Sequence, residues 1–279
     1  MSSKPQIKET VIEPNRPLGF GDIAEVFRYR GLLWSMTVRR FRGDLADLQL
    51  GVIWFVARPL LMLAVFTMWR NLSGANMGVD MSYPTYLYSG LILWFYFTEA
   101  VQNTAGAVQR DAGLIRKVYF PRLISPLTAV LAPLTALAVA SVPLVVIMVL
   151  TSTVPDWKIL LLPVVLFQAA LLAFGLGCLF AALSVNSNDW DRALALALYI
   201  GLFISPVIFS PALLAESRGY WVYHLNPMAG TLVALRSTLE ADVAFPVHEF
   251  AYSAGFTLVS ILVGFFLFQR LERALLDRL

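Results

Sequence analysis

Long apolar stretches separated by short polar ones are the main pattern in this sequence of 279 residues. Six of these stretches come close to the roughly 20 apolar residues that a helix needs to cross a bilayer. They predict six transmembrane helices, at about 51–69, 84–108, 124–150, 159–183, 193–209 and 250–268. Pro126, Pro133 and Pro143 punctuate the third stretch, where we expect kinks unless neighbouring helices satisfy the freed carbonyl groups.

The segment before the first span, residues 27–50, has an amphipathic pattern. Its apolar face would hold Tyr29, Met36, Phe41, Leu45 and Leu48, with Arg28, Arg39 and Arg42 opposite. This pattern predicts an amphipathic helix that lies in the membrane interface. Arg40 and Asp44 intrude on the apolar side, so a plain connecting helix fits the segment about as well.

The region between the fifth and sixth spans, residues 210–249, is apolar but broken. Polar residues and prolines interrupt it at Pro211, Glu216, Arg218, Asn226, Pro227 and Arg236. No uninterrupted piece is long enough to cross a bilayer. We therefore expect short re-entrant helices at the outer side, for example at 211–215 and 228–239, which require cover from protein or a water-filled cavity.

The distribution of basic residues predicts the orientation. With the N-terminus inside, 17 of the 21 Lys and Arg residues fall in inside segments, counting Arg58 at the start of the first span. The outside segments hold Arg70, Lys158, Arg218 and Arg236. Cytoplasmic loops carry the excess of positive charge, so both termini are expected in the cytoplasm.

Composition supports an all-α polytopic membrane protein. Hydrophobic residues make up 58% of the chain and charged residues 14%, and the mean hydropathy is +0.71. Such a composition exceeds what the core of a soluble domain needs. The net charge is +3, but the basic residues lie beside apolar spans and form no stripe with stacking aromatics, so no nucleic-acid partner is predicted.

Motifs for chemistry are absent from the sequence. It contains no GxxxxGK[ST] loop and no Gly-Lys pair, so P-loop ATP hydrolysis by this chain is excluded. His224 and His248 have no Cys or paired carboxylates at ligand spacing, and we predict no metal site and no catalytic residue. Cys178 cannot form an intramolecular disulfide and is interpreted as a packing residue.

Two ionisable residues lie within the predicted spans. Glu99 in the second span is either a functional group or a structural hydrogen-bonding partner, because intramembrane charge is costly and usually has a role. Arg58 in the first span can also snorkel to the inner interface. One acid is weak support for a proton-driven carrier, which usually needs a relay of several.

A basic stretch separates the second and third spans. Residues 109–122 read QRDAGLIRKVYFPR, which is too polar to stay in lipid and ends near Pro121. This stretch is either a cytoplasmic loop whose charge fixes orientation, or a helix on which a partner docks.

Four sequence blocks together carry a family resemblance. They are LGVIW followed by Pro59, YPTYLYSGLILWFYF, AGLIRKVYFPRLISPL, and SPVIFSP followed by LNPMAGTLVALR. In this order they resemble the membrane subunit of polysaccharide-exporting ABC transporters, the ABC-2 permease family of O-antigen, capsule and teichoic acid exporters. Two positions depart from the family pattern: Asn188 precedes Asp189 where Arg-Asp is usual, and Arg58 stands where a neutral polar residue is expected.

The resemblance implies a half-transporter in a bacterial cytoplasmic (inner) membrane. Two copies would form a homodimer with the channel between them, and two separate ATPase subunits would dock inside. ATP and Mg would bind those subunits, so this chain would hold no cofactor and would not itself be an enzyme. The implied substrate is a lipid-linked polysaccharide, an O-antigen-like glycan on undecaprenyl pyrophosphate.

The resemblance and the residue types together suggest four sets of functional residues. The ATPase-coupling set is Arg110, Leu114, Ile115, Arg116, Lys117, Tyr119, Phe120 and Arg122. The channel set is Trp54, Phe95, Phe97, Tyr199 and Phe203, whose rings can stack on sugars but can equally face lipid or pack in the core. The pyrophosphate set is Arg39, Arg40 and Arg42, which can instead set topology. The outer-gate set is Pro206, Pro211, Asn226 and Pro227.

The expected organisation has four parts: a flexible cytoplasmic tail (1–26), the interfacial helix (27–50), the six-span domain (51–270) and a cytoplasmic tail (271–279). Three alternatives stay open. The chain could belong to an exporter of small lipophilic molecules, to a non-transporting membrane scaffold or to a membrane-embedded glycan-modifying enzyme. An enzyme should show converging acids or histidines, and a scaffold has no need of the LNPM block.

Overall fold

The computed structural model describes residues 26–46, 51–79, 81–115, 121, 123–184, 187, 189–214, 223, 225–241 and 243–278. These residues form helices and no strand, which confirms the predicted all-α fold for this part of the chain. The α-helices are α1 (Arg30–Ala46), α2 (Ile53–Ser73), α3 (Tyr83–Ala105), α4 (Ala107–Ile115), α5 (Ile124–Leu131), α6 (Pro133–Leu150), α7 (Leu162–Ser184), α8 (Asp189–Ile204), α9 (Ala229–Leu239) and α10 (Val247–Arg278). Two 3₁₀ turns occupy Trp157–Leu161 and Pro211–Leu214.

Four helical segments in the described ranges are long and apolar enough to cross a membrane. They are Ile53–Ser73, Ile124–Leu150, Trp157–Ser184 and Val247–Phe268, which match the first, third, fourth and sixth predicted spans. Helix α3 has 23 residues but also carries Glu99 and several Tyr and Trp rings. Helix α8 has 16 residues, about 24 Å at 1.5 Å per residue, which is shorter than the roughly 30 Å hydrocarbon core.

The prolines interrupt the third span as the sequence predicts. The span divides into α5 and α6 at Ala132, and Pro133 begins α6. Helix α3 supplies donors beside the break and beside Pro143: the Tyr96 hydroxyl donates to the Val130 carbonyl at 3.4 Å, and the Tyr88 hydroxyl donates to the Ala140 carbonyl at 3.0 Å. A tyrosine-rich neighbour therefore supplies hydrogen bonds where the prolines weaken the helix.

Helix α3 is the centre of the packed core. Leu87, Tyr88, Leu91 and Leu93 on this helix are fully buried, and α3 packs against α2, α5, α6, α7 and α8. The outer helices α2, α6 and α10 expose large apolar side chains, for example Leu61, Val149 and Leu262. Surfaces of this kind face lipid or another subunit rather than water.

Glycines allow α7 and α10 to approach each other closely. A Cβ atom placed on Gly264 would lie 2.3 Å from the Gly175 carbonyl oxygen, and one on Gly175 would lie 2.8 Å from the Ile261 nitrogen. Small residues at a helix crossing let two backbones meet inside a membrane, where van der Waals packing drives association. The Gln168 amide also donates to the Thr257 hydroxyl across this contact at 2.7 Å.

Candidate functional site

An open cavity of about 510 Å³ lies between α2, α3 and α6. Trp54 and Arg58 of α2 line one side, and Phe95 and Glu99 of α3 line another. The Arg58 guanidinium carbon lies 4.2 Å from the centre of the Phe95 ring, a cation–π contact. Both intramembrane charges singled out in the sequence thus line one apolar-walled cavity.

A second cavity of about 310 Å³ lies on the other side of the same residues, where α8 faces α3. Arg58, Phe95 and Glu99 line it too, so the two cavities share these three side chains. The remaining polar lining is Thr98 and Gln102, and Tyr199 of α8 lines the opposite wall. This second cavity is the more polar of the two.

The structure separates one of the five predicted channel rings from the others. Trp54 and Phe95 line the first cavity, and Tyr199 lines the second. Phe203 packs edge-on against Tyr199 with ring centres 5.7 Å apart, and it lines a third cavity of about 410 Å³. Phe97 is 3% exposed and packs against Trp94 in the core, so it lies outside this lining and has a packing position instead.

The three predicted pyrophosphate-binding arginines have different surroundings in the structure. Arg40 Nη2 donates to Asp111 Oδ2 at 2.5 Å and to Ser125 Oγ at 3.3 Å, and Ser125 also donates to Asp111. This network joins α1 to α4 and α5. Arg39 and Arg42 are exposed and line a shallow cavity on the other side of α1, together with Trp34, Ser35 and Val38.

Helix α1 uses part of its predicted apolar face against protein. Met36 is buried in one apolar cluster with Ile124 of α5, and Tyr29 packs against that cluster. Trp34, on another face, is 71% exposed. Residues 47–50 of the predicted interfacial segment lie outside the described residues, and so do the side chains of Asp44 and Leu45.

Five of the eight predicted coupling residues lie outside the described residues. They are Arg116, Lys117, Tyr119, Phe120 and Arg122, and Leu114 and Ile115 lie in the last turn of α4 with undescribed side chains. Arg110 is described, and its guanidinium turns back to the end of α3. It donates to the Asn103 carbonyl at 2.6 Å, to Asn103 Oδ1 at 3.0 Å and to the Gly106 carbonyl at 3.3 Å.

Two of the predicted outer-gate residues, Asn226 and Pro206, form hydrogen bonds with residues outside the predicted set. The Asn226 amide donates to the Ser205 hydroxyl at 2.6 Å, and its Oδ1 accepts from the Met228 backbone N–H at 3.0 Å. The neighbouring Pro206 carbonyl accepts from the Tyr86 hydroxyl at 3.3 Å. Pro227 is half-buried beside Asn226, and Pro211 begins the 3₁₀ turn that follows α8.

Arg236 is a buried residue, although the sequence places it among the outside charges and among the polar residues that interrupt the region 210–249. It is 4% exposed, its guanidinium carbon lies 3.4 Å from the centre of the Tyr86 ring, and Nη2 donates to the Val207 carbonyl at 3.2 Å. Burial lowers the pKa of Arg236 below its ordinary value, partly offset by Tyr86 and Tyr223. Its position as the charge within the apolar helix AGTLVALRSTL was a signal that it is held by protein.

Lys158 is a second buried cation, and the sequence did not distinguish it from the other outside charges. Its Nζ donates to the carbonyls of Val243 at 2.6 Å, Ala241 at 2.7 Å and Glu240 at 3.3 Å, and lies 3.5 Å from Asp156 Oδ2. These bonds hold the segment between α9 and α10 against the start of the fourth span. Nothing in the local sequence marks this contact, because its partners are backbone carbonyls 82 to 85 residues away.

In the part of the chain that the structure describes, no group of three or more His, Cys, Asp or Glu side chains converges to hold a metal ion. The chemistry that the described site offers is therefore contact with aromatic rings, hydrogen bonding and charge.

Comparison with known proteins gives a family and several relatives. A sequence profile of the family described as ABC-2 type transporter matches residues 31–240. The O-antigen export system permease protein RfbA of Myxococcus xanthus is 26% identical over 218 residues, which cover 77% of this chain and 82% of the relative. RfbA of Klebsiella pneumoniae is 24% identical, with 86% and 92% covered. The polysialic acid transport protein KpsM of Escherichia coli is 26% identical, with 87% and 94% covered.

The matched region runs from α1 to the end of α9 and includes the cavities around Arg58, the Arg40–Asp111 contact and the Ser205–Asn226 contact. It covers well over half of the chain. This protein therefore belongs to the ABC-2 type transporter family.

Proposed function

We propose that this chain is the transmembrane permease subunit of an ATP-driven exporter that moves a polysaccharide across the bacterial cytoplasmic membrane. The observation that carries the proposal is the extent of the matches to relatives named as O-antigen export permeases and a polysialic acid transport protein. Each match covers 77% or more of this chain and 82% or more of the relative. Because these matches extend over most of both proteins, they support the same kind of cargo for this chain. The finer substrate in this proposal is a glycan linked to undecaprenyl pyrophosphate.

The aromatic lining of the cavities supports a polysaccharide over a small lipophilic cargo. Trp54, Phe95, Tyr199 and Phe203 line three neighbouring cavities on the α2–α3–α8 side, and the first cavity shares lining residues with each of the other two. Sugar rings present apolar C–H faces that stack on such side chains, while their hydroxyls need polar partners such as Glu99. A site for a purely lipophilic molecule would not need a carboxylate in its wall.

The proposed topology has six spans with both termini in the cytoplasm. Four spans meet the length and hydropathy that a bilayer requires, and α3 and α8 would supply the second and fifth. The exposed side of α2, with Trp54 48% exposed, would face the channel between two copies of the chain. Two separate ATPase subunits, carrying ATP and Mg, would dock on the stretch 109–122 and on α1.

The proposed outer gate is the region 210–249, which would form the re-entrant part at the outer mouth. At its inner edge, the described hydrogen bonds are those of Ser205, Pro206 and Asn226. Arg39 and Arg42 would meet the pyrophosphate, since they are exposed on α1 beside Trp34, and guanidinium groups match phosphate oxygens.

A gene deletion tests the proposed function. Cells that lack this chain but keep the glycan-synthesising enzymes should accumulate the lipid-linked glycan on the cytoplasmic side, and the intact gene should restore surface glycan. Surface glycan is measured by labelling intact cells, and accumulated glycan by extraction of the membranes. Normal surface glycan in the deletion strain would contradict the proposal.

Trp54 gives a residue-level test of the channel. Trp54→Leu should slow glycan export about two- to tenfold, because an aromatic contact contributes roughly 0.5–1.5 kcal/mol beyond its apolar area, and Trp54→Phe should largely restore the rate. Trp157→Leu is the matched control, since Trp157 is 70% exposed in the 3₁₀ turn before α7 and lines none of these cavities. Wild-type export by the Trp54→Leu protein at equal expression would assign Trp54 to a lipid-facing role.

A further inference from the structure

A polar strip of three side chains runs along one face of α3. Thr98 and Glu99 are consecutive, Gln102 lies about one helical turn after them, and all three line the cavity of about 310 Å³ opposite α8. Thr98 and Glu99 are half-buried, and Gln102 is exposed. Side chains of this kind are costly in a membrane segment unless they have partners or a ligand.

The strip faces an aromatic ring that is held in place. Tyr199 lies on the opposite wall of the cavity and is 65% exposed. Tyr199 and its neighbour Phe203 pack edge to face with ring centres 5.7 Å apart, a favoured geometry that helps to orient the Tyr199 ring. The cavity therefore presents hydrogen-bonding groups on one wall and an accessible ring on the other.

The donors and acceptors of this strip suit hydroxyl groups. The Glu99 carboxylate accepts hydrogen bonds, and the Gln102 amide can donate and accept. The Thr98 hydroxyl donates to the Phe95 carbonyl at 3.0 Å, so it offers its oxygen to a ligand as an acceptor. Glu99 already has an interaction partner within the chain, so its carboxylate is held in the wall, and its two oxygens offer about four acceptor positions in total. A volume of about 310 Å³ is at the lower end of the range for small-ligand sites.

The charges of the cavity favour an uncharged ligand. Arg58 and Glu99 both line it, so the formal charges of these two groups cancel. The Arg58 guanidinium lies over the Phe95 ring at 4.2 Å, while Thr98, Glu99 and Gln102 form the strip. An acidic sugar that approached this strip would bring its carboxylate close to Glu99, and like charges repel.

We propose that Thr98, Glu99, Gln102 and Tyr199 form a binding site for an uncharged, hydroxyl-rich sugar unit of the transported glycan. The sugar lies with an apolar face on Tyr199 and with its hydroxyls bonded to the α3 strip. This inference rests on the proposed polysaccharide export function and adds the substrate class and the residues that recognise it.

The test uses the full complex with its ATPase subunit in lipid nanodiscs and saturation-transfer difference NMR. The probes are maltohexaose, a neutral oligosaccharide, and an α2,8-linked sialic acid hexamer, an acidic one. We expect a signal from maltohexaose that exceeds the signal from the sialic acid hexamer at equal concentration. Glu99→Gln should weaken maltohexaose binding about fivefold, because a charge-assisted hydrogen bond becomes a neutral one, and Gln102→Leu and Tyr199→Leu should weaken it as well.

The matched control is Glu249→Gln, which neutralises a half-buried carboxylate in the first turn of α10, away from this cavity. It should leave maltohexaose binding unchanged. Complex assembly, measured by size-exclusion chromatography, and ATP turnover are recorded for every variant. Unchanged binding in the three cavity variants, stronger binding of the acidic hexamer, or loss of binding only together with loss of assembly would overturn the site.

Separate experiments test this binding site and the proposed export function. Export of the native glycan by the wild-type complex tests the function, whereas the ranking of the two probes and the cavity variants tests the site. A complex that exports glycan normally with Glu99→Gln and Gln102→Leu together would reject the site and leave the export function standing.

Discussion

At the scale of single residues, Arg39 and Arg40 show how two adjacent arginines acquire different roles. Arg40 lies one helical turn after Met36, so both project toward α5, and its guanidinium reaches Asp111 at 2.5 Å. Arg39 and Arg42 project elsewhere and are exposed. The pyrophosphate prediction stays open for Arg39 and Arg42, whereas the contacts of Arg40 indicate a structural role in joining α1 to α4.

We predict that Arg40→Gln destabilises the protein by about 1–3 kcal/mol, because a largely buried carboxylate would lose a charge-assisted partner. The side chains of Arg40 and Asp111 are each 17% exposed, so solvent screens the pair only in part. The measurement is thermal unfolding of the purified protein in one detergent. Arg39→Gln is the matched control and should change the midpoint little, since surface charges contribute little to stability.

A double variant tests whether the contact between Arg40 and Asp111 itself contributes to stability. Arg40→Gln with Asp111→Asn should recover part of the loss, because neither partner then leaves an uncompensated charge. Equal midpoints for Arg40→Gln and Arg39→Gln would show that the contact contributes no measurable stability.

The sequence contained a partial signal for Arg40 and none for Lys158. Helical periodicity placed Arg40 on the apolar side of the segment 27–50, where a charge needs a partner, but it could not identify Asp111 as that partner. Lys158 and Arg236 were counted as outside charges, and both are buried. Their partners are chiefly backbone carbonyls and a tyrosine ring, which sequence patterns do not identify. The Asp156 carboxylate lies 3.5 Å from Lys158 Nζ, but a neighbouring acid does not distinguish a buried lysine from an exposed one.

At the scale of helices, the contact between α7 and α10 depends on two glycines. Gly264→Ala should destabilise the protein by about 1–3 kcal/mol, because the new Cβ atom would lie 2.3 Å from the Gly175 carbonyl oxygen and backbone cannot yield as a flexible side chain can. Gly255→Ala is a matched control on the same helix, since a Cβ atom there meets nothing within 4 Å. It should be neutral or slightly stabilising, as Ala favours helix over Gly.

Thermal unfolding of the two alanine variants in the same detergent provides the comparison. Equal midpoints would mean that α7 and α10 can separate without cost, which would remove the glycine contact as a determinant of stability. Hydropathy located both of these helices in the sequence, and the glycines were visible there. Their pairing was not predictable, because small residues mark where a helix can be approached but not which helix approaches it.

At the scale of the whole molecule, hydropathy predicted the all-α fold and the four spans that satisfy the length criterion. Helix α8 shows the limit of prediction from hydropathy. The predicted span 193–209 extends beyond Ile204, where the helix ends. Ser205 and Pro206 begin a turn that is hydrogen-bonded to Asn226 and to α3. An apolar run continues through this turn, so composition alone cannot place the helix end. Tertiary hydrogen bonds at Pro206 and Ser205 define it.

The missing phosphate loop leads to a prediction for the whole transporter. The purified chain should show no ATP hydrolysis, because its sequence has no loop of backbone N–H groups and lysine to hold the phosphates. Co-expression with its ATPase subunit should yield a complex that hydrolyses ATP and contains two copies of this 31.0 kDa chain and two of the ATPase. Native mass spectrometry measures the copy numbers, and phosphate release measures the turnover.

The control for this experiment replaces the phosphate-loop lysine of the ATPase subunit, which should abolish turnover while the complex still assembles. That result would assign ATP hydrolysis to the ATPase subunit. The role of this chain would then be to contact the glycan and to form its passage through the membrane. ATP turnover by the isolated chain would refute the division of labour, and a complex with one copy of this chain would refute a channel formed between two. Both outcomes are independent of which glycan the transporter carries, because neither measurement requires the glycan to be present.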